Sequence, residues 1–99
     1  MSDHGEMLGD RGGYQKHVPY EGSAHIPMIV CGPGIAQGIC DTPVTTWDVS
    51  ATVLETSGVT VPTDHPLMGD SLRNIAAAHS DRTIFFHNGQ GRRRYVAAA

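Results

Sequence analysis

Residues 26–34 have the sequence IPMIVCGPG, in which an unbroken apolar run is followed by a Gly-Pro-Gly turn. A short apolar run that ends in turn residues is typical of a strand buried on both faces of a parallel sheet. Pro27 falls at the beginning of the run, where its missing N–H does not interrupt a central ladder. The stretch therefore predicts a buried strand at residues 26–31.

The next segment predicts a helix from about Pro43 to Ser57. Thr42 suits the N-cap, Pro43 suits the first helical position, and Gly58 suits the position after the last turn. The apolar residues of this segment recur at spacings of three and four, which places them on one helical face that packs on a sheet. They are Val44, Trp47, Ala51 and Leu54.

Three shorter elements are predicted after this helix. Asp70 suits the cap of a short helix that extends through Ala78, residues 83–86 (TIFF) suit a strand, and residues 95–97 (YVA) begin another. The alternation of strands and helices predicts an α/β fold with a few-stranded, mostly parallel sheet and packed helices. Because two or three strands are few for such a sheet, we expect the sequence to be a slice of a larger domain.

Composition narrows the classes of function. The chain has 99 residues and a net charge of −3, and its basic cluster is confined to Arg92, Arg93 and Arg94, so we expect no nucleic-acid partner. No apolar run approaches the roughly 18 residues that span a bilayer, and no charged-then-apolar leader is visible, so we expect no membrane partner. Periplasmic, secreted and cytoplasmic locations all stay open. We expect Cys31 and Cys40 to be free thiols.

The first 25 residues are polar, rich in glycine and dense in titratable groups. Asp3-His4 offers a carboxylate beside an imidazole, and Gly5 lets the backbone turn so that both side chains converge on one metal ion. Lys16 is the only lysine and suits an anionic oxygen. A loop pair without an ion and a solvated lysine are the plainer alternatives. For Glu6 and Asp10, a solvated loop or hydrogen bonds that hold the loop's shape are expected rather than an acid and base pair.

Several motifs occur in an order that resembles the sulfatase family within the alkaline phosphatase superfamily. The resemblance covers roughly residues 2–72. It rests on SDHGEMLGD at residues 2–10, Lys16, YEGS at residues 20–23, the apolar run and turn at residues 26–34, WDV at residues 47–49, and GDSL at residues 69–72.

The resemblance implies a partial alkaline-phosphatase-like (sulfatase) domain. Residues 1–99 are then a single incomplete domain, with a metal and anion loop at residues 1–25 and a strand-helix-helix-strand segment at residues 26–99. It also implies that Asp3 and His4 are ligands of a divalent cation, usually Ca2+, with Mn2+ or Zn2+ in some relatives. Lys16 would be the catalytic lysine that contacts the sulfate oxygens or the leaving group.

Two departures from the family pattern affect the expected chemistry. Arg11 stands where the family often has a second histidine, which argues against a further histidine contact. Sulfatases attack sulfur with a formylglycine made from Cys-x-Pro-x-Arg, but the similar Cys31-Gly32-Pro33 lacks the arginine and follows the metal pair, so Cys31 is interpreted as structural. We expect the formylglycine upstream of these residues, and we expect the chain alone to be inactive.

Three functions follow as expectations. The first is a segment of a sulfuric ester hydrolase whose substrate is a small-molecule or glycan sulfate ester. The second is a phosphonate or phosphate ester hydrolase of the same superfamily. The third is a non-catalytic, self-associating or metal-binding fragment, because exposed strand edges favour a homo-oligomer.

Overall fold

The computed structural model describes residues 1–62, 64, 66–78, 81–88 and 95–98. A 3-10 turn at Asp10–Gly12 precedes three helices, α1 (Glu21–Ala24), α2 (Thr46–Thr56) and α3 (Leu72–Ala78), and two strands, β1 (Phe85–Asn88) and β2 (Tyr95–Ala98). The chain divides into two compact units, residues 1–33 with 85–99 and residues 34–84. The arginine cluster at residues 92–94 lies outside the described residues.

Helix α2 confirms the predicted helix but begins three residues later. Its N-cap is Thr45 rather than Thr42, because Thr45 and Asp48 form a capping box in which the Thr45 N–H donates to Asp48 Oδ2 at 2.6 Å. The predicted end is confirmed. Gly58 follows the C-cap with a φ of 68°, and its N–H donates to the Glu55 carbonyl at 3.0 Å.

The predicted apolar face of α2 is confirmed only in part. Ala51 is buried, but Trp47 is 57% exposed. Asp48, the residue after Trp47, is fully buried instead. A carboxylate in such a place needs partners, since burying an unpaired charge is costly.

Arg82 supplies the main partner of the buried Asp48 carboxylate. Its two terminal nitrogens donate to both oxygens of Asp48, at 2.7 and 2.8 Å, and one of them also donates to the Pro43 carbonyl at 3.1 Å. The Asp70 N–H donates to Asp48 Oδ1 at 2.9 Å. The pair therefore ties the beginning of α2 to two later segments of the same unit.

Gly69 lets the chain pass close to α2 before α3 begins. A Cβ at Gly69 would overlap the carbonyl group of Trp47 and lie 2.6 Å from the Asp48 nitrogen. Three residues on, the Leu72 N–H donates to Thr52 Oγ1 at 2.8 Å. The predicted short helix is thus confirmed over Leu72–Ala78, beginning two residues after Asp70.

The two strands form an antiparallel pair in which Phe85 lies opposite Ala98 and Asn88 opposite Tyr95. Strand β2 begins at the predicted residue 95, whereas β1 begins two residues later than predicted. The predicted mostly parallel sheet is not confirmed, because the sheet in the described part of the chain has these two strands alone.

The prediction of a buried strand at residues 26–31 is wrong. The segment has no helix or strand assignment, Ile29 is 86% exposed, and Cys31 is also exposed. The apolar pattern favours a strand, but a strand needs a hydrogen-bonded neighbour, and no described segment pairs with this one. Cys31 and Cys40 are free thiols.

Within the described residues, no helix is both long and apolar enough to cross a membrane.

Candidate metal and anion site

Asp3 and His4 lie side by side with their donor atoms close together. The His4 N–H donates to Asp3 Oδ1 at 3.0 Å, and His4 Nε2 lies 3.6 Å from Asp3 Oδ2. His4 Nδ1 lies 2.7 Å from the Gly5 carbonyl oxygen. Because a carbonyl oxygen only accepts, Nδ1 carries the hydrogen, and the lone pair of the neutral imidazole is on Nε2.

The Asp3 side chain is open to solvent, with 84% of it exposed, whereas 38% of the His4 side chain is exposed. A hydrogen bond from its own backbone N–H lowers the pKa of Asp3, and the nearby His4, the His4 N–H and Lys16 lower it further. The carboxylate is therefore ionised at neutral pH, which is the form that binds a cation.

Gly5 fixes the backbone next to this pair. Its N–H donates to the Ser23 carbonyl at 2.9 Å, and a Cβ at this position would overlap the carbonyl oxygen of Gly22. Ser23 is itself buried in α1. The Asp-His pair is thus held against α1 by a contact that glycine alone permits.

Lys16 follows a tight loop that begins at Met7. The Met7 N–H donates to the Gln15 carbonyl at 3.1 Å, and the Gly9 N–H donates to the Gly13 carbonyl at 2.8 Å. The Met7 side chain is buried against Gly13 and Gly22, beneath this loop. Lys16 is exposed at the end of the loop, and its positive charge makes the smallest of the contributions that lower the pKa of Asp3.

Of the two alternatives expected for Glu6, its contacts favour hydrogen bonds that hold the loop's shape. Glu6 Oε1 accepts hydrogen bonds from the N–H groups of Leu8, at 3.4 Å, and Gln15. Arg11 lies over the ring of Tyr20, with 4.7 Å between its Cζ and the ring centroid. This cation–π contact belongs to the loop rather than to the Asp-His pair.

Asp3 and His4 lie together in the structure, and no contact of either residue with Lys16 is seen. Across the described ranges, no three His, Cys, Asp or Glu side chains form a group that could hold a metal ion. His25 bonds instead to Glu21, with 2.8 Å between Nδ1 and Oε2.

The sequence analysis did not predict the roles of Asp48 and Arg82. The spacing of Thr45 and Asp48 is the signature of a capping box and could have identified Asp48. No comparable signal links Asp48 to Arg82, because their contact joins residues 34 positions apart.

Comparisons with known proteins agree with these motifs. The family model for sulfatases matches residues 1–59. Choline-sulfatase of Rhizobium meliloti (strain 1021) is 43% identical over 65 residues, which cover 66% of this chain and 13% of the relative. Arylsulfatase K of Xenopus laevis is 37% identical over 84 residues, which cover 84% of this chain and 15% of the relative.

A third relative, an arylsulfatase of Hemicentrotus pulcherrimus, is 37% identical over 100 residues that cover 88% of this chain and 18% of the relative. The chain thus spans less than a fifth of the length of these relatives. No solved structure matches it. The family implies an α/β fold of the alkaline-phosphatase type. On the family model and these relatives together, the chain belongs to the sulfatase family.

Proposed function

We propose that this chain serves sulfate ester hydrolysis by supplying two ligands of a divalent cation, Asp3 and His4, and a lysine, Lys16, that contacts the sulfate group. The observation that carries the proposal is the geometry of the Asp-His pair. Because His4 Nδ1 donates its hydrogen to the Gly5 carbonyl, the lone pair on Nε2 is available to a cation, and Nε2 lies 3.6 Å from Asp3 Oδ2.

The two donor atoms fit a shared cation. Ligand atoms at about 2.3 to 2.6 Å from a calcium ion can lie up to roughly 5 Å apart, so a separation of 3.6 Å is compatible with one ion. Carboxylate oxygen favours Ca2+, while imidazole nitrogen also suits Mn2+ or Zn2+. Since Ca2+ takes about six to eight ligands, these two residues supply part of a coordination sphere, and the chain alone would bind the ion weakly.

The bound cation and Lys16 would both act on the ester through their positive charges. A bound cation would hold the anionic ester group and withdraw charge from it. Lys16 is exposed at the end of its loop, where its ammonium group can donate to a sulfate oxygen or to the leaving oxygen as charge develops there. A phosphonate or phosphate ester is the alternative substrate class, because it presents the same anionic oxygens to the same groups.

The nucleophile is not assigned to this chain. The sequence contains no Cys-x-Pro-x-Arg motif from which a formylglycine is made. Cys31, in the similar Cys31-Gly32-Pro33, has no arginine two residues after the proline. We therefore propose that these 99 residues bind the cation and the anion without turning over an ester by themselves.

An NMR titration tests the cation site. Adding CaCl2, MnCl2 or ZnCl2 to the 15N-labelled chain should shift or broaden the signals of residues 3–5, and Asp3→Asn or His4→Gln should abolish that response. Glu21→Gln is the matched control, since Glu21 and His25 form a second carboxylate–imidazole pair on α1. Responses that survive Asp3→Asn, or that centre on His25, would contradict the proposal.

A second candidate function is self-association through residues 26–31, which is favoured by their exposed apolar side chains. The partner we propose is a second copy of this chain. Residues 26–40 carry no charged side chain and no histidine, so two copies meet there without repulsion despite the net charge of −3. The described residues of the chain itself leave the segment unpaired.

The prolines determine which edge of the segment can pair. Successive N–H groups of a strand point to opposite sides, and Pro27 and Pro33 both remove donors from the side that Ile29 shares. The other side keeps the N–H groups of Met28, Val30 and Gly32. An antiparallel pair centred on Val30 would use these donors and place Ile29 opposite Cys31 of the second copy.

Disulfide trapping tests this register. In a Cys40→Ser background, Ile29→Cys should crosslink to Cys31 of a second copy on mild oxidation, since opposed Cα atoms lie about 4.5 to 5.5 Å apart. Gln37→Cys is the control in the same background. A monomer of 10.6 kDa by light scattering, or equal crosslinking by both variants, would contradict the pairing.

A further inference from the structure

The loop before Lys16 is closed by backbone hydrogen bonds at its base and near its tip. Met7 lies opposite Gln15 at the base, and Gly9 lies opposite Gly13 near the tip, at distances of 3.1 and 2.8 Å. Lys16 directly follows Gln15, the residue at the base of this loop. Because consecutive Cα atoms are about 3.8 Å apart, whatever holds Gln15 also holds the backbone of Lys16.

Glu6 holds Gln15 from the other side of the peptide. Its Oε1 accepts the Gln15 N–H, while the Gln15 carbonyl accepts the Met7 N–H. Both backbone polar groups of Gln15 are therefore bound to residues 6 and 7. The same oxygen also accepts the Leu8 N–H at 3.4 Å, so one carboxylate bridges the two ends of the loop.

The backbone of this loop needs such support. Leu8, Arg11 and Gln15 all have φ between 50° and 69°, in the left-handed region that side chains other than glycine rarely adopt. Two of these three residues, Leu8 and Gln15, are the ones whose N–H groups Glu6 accepts. The carboxylate thus compensates for an unfavourable conformation at both ends of the loop.

We propose that Glu6 is a positioning residue for Lys16: its side-chain oxygen clamps the loop of residues 7–15 shut and so fixes the backbone from which the lysine extends. This inference rests on the proposed role of Lys16 as the sulfate contact. Glu6 acts through the hydrogen bonds that it accepts and does not touch the substrate. A glutamine, whose amide oxygen has the same reach, should therefore replace it.

Amide hydrogen exchange tests the clamp without any ligand. Glu6→Met should speed exchange at Gln15 about tenfold, since it removes a hydrogen bond to a charged acceptor. Glu6→Gln should keep exchange near the wild-type rate, and Glu6→Asp, whose carboxylate is one methylene shorter, should lose much of the protection. Glu55→Met, which makes the same change of charge on α2, is the matched control.

These variants distinguish an effect of the length of side chain 6 from effects of its charge and of the overall stability of the protein. Protection by aspartate but not by glutamine would overturn the inference, as would unchanged exchange at Gln15 in Glu6→Met. Should Glu6→Met fail to fold, the comparison of Glu6→Gln with Glu6→Asp gives the same decision. Thermal unfolding of each variant shows whether a change at Gln15 is local.

The consequence for Lys16 is measured on the lysine itself. Reductive methylation with 13C-formaldehyde labels Lys16, the chain's only lysine, and the amino terminus, whose NMR signals are distinct. Titration with sodium sulfate should give an apparent Kd about tenfold weaker for Glu6→Met than for the wild type or Glu6→Gln. Equal Kd values for all three would overturn the positioning role. If sulfate moves no Lys16 signal in any protein while the Gln15 pattern holds, the clamp is supported and the sulfate-contact role of Lys16 fails.

Discussion

Replacing Arg82 by methionine should destabilise the unit formed by residues 34–84 and change how its stability responds to acid. The substitution keeps most of the side-chain length but removes the two hydrogen bonds, of 2.7 and 2.8 Å, that the guanidinium donates to Asp48. Removing one partner of a buried pair costs about 3 to 5 kcal/mol. Because the Arg82 side chain is 20% exposed, we expect a loss near the lower end, about 3 kcal/mol.

The acid response follows from the pKa of Asp48. Burial alone would raise that pKa, but the hydrogen bonds from Arg82, Thr45 and Asp70 outweigh burial and lower it from 3.8 to about 2. A carboxyl whose pKa is lower in the folded state stabilises the fold above its unfolded value. That stabilisation is about 2 kcal/mol at neutral pH, and it is lost as the pH falls from about 4 to 2.

The assay is urea denaturation followed by circular dichroism at pH 5 and at pH 2.5. Asp48 alone should cost the wild type about 1.5 kcal/mol of unfolding free energy between these two values. In Arg82→Met, burial is less opposed and the folded pKa rises, so this part of the acid loss should shrink or disappear. Arg73→Met, an exposed arginine on α3, is the control.

Equal acid losses in the wild type and in Arg82→Met would refute the reasoning. So would an Arg82→Met variant no less stable at pH 5 than Arg73→Met. Either result would mean that the hydrogen bonds to Asp48 do not govern its pKa or its contribution to folding.

Three further predictions concern the cap, the close contact and the chemistry. Thr45→Ala should lower the free energy of unfolding by about 1 kcal/mol through loss of the capping hydroxyl, whereas Thr46→Ala, one residue into α2, should change it little in the same urea assay. Gly69→Ala should lower the free energy of unfolding by about 1 to 3 kcal/mol, because a Cβ there overlaps the Trp47 carbonyl. In the control Gly38→Ala, the new Cβ meets nothing within 4 Å. Equal Tm values for the two variants would contradict this prediction. The isolated chain should hydrolyse an aryl sulfate no faster than its Lys16→Ala variant, and clear turnover that depends on Lys16 would contradict this expectation.

Local signals predicted α2 and α3 well, but not the four-residue α1, which lies in the segment predicted to be a loop. The period of α2, its glycine stop and the short helix after Gly69 all depend on residues close together in sequence, and the structure has each within three residues of its predicted bounds. Strand β2 was predicted from the same kind of local pattern. The beginning of α2 was predicted three residues early because Asp48 bonds to Thr45, which makes Thr45 the N-cap in place of Thr42.

Long-range pairing could not be predicted in this way. The apolar residues 26–31 have the composition of a buried strand, but composition does not supply a neighbouring strand, and Ile29 is exposed. The salt bridge between Asp48 and Arg82 depends on a chain path that no spacing rule encodes. In the candidate site, the Asp3-His4 pair was visible as a motif, whereas the clamp by Glu6 depends on a loop closed nine residues later.

The buried carboxylate of Asp48 has a consequence for how this sequence can diverge. It is satisfied at once by a guanidinium at residue 82 and by a backbone N–H at residue 70, which reaches it through the close passage at Gly69. A neutral residue at position 48 would leave Arg82 without its main partner. A larger residue at position 69 would push the chain away from α2, so that the N–H of residue 70 would no longer reach the carboxylate of Asp48. Among homologues, positions 48, 69 and 82 should therefore change together or not at all, and an alignment deep enough to measure covariation should reveal them as a linked set.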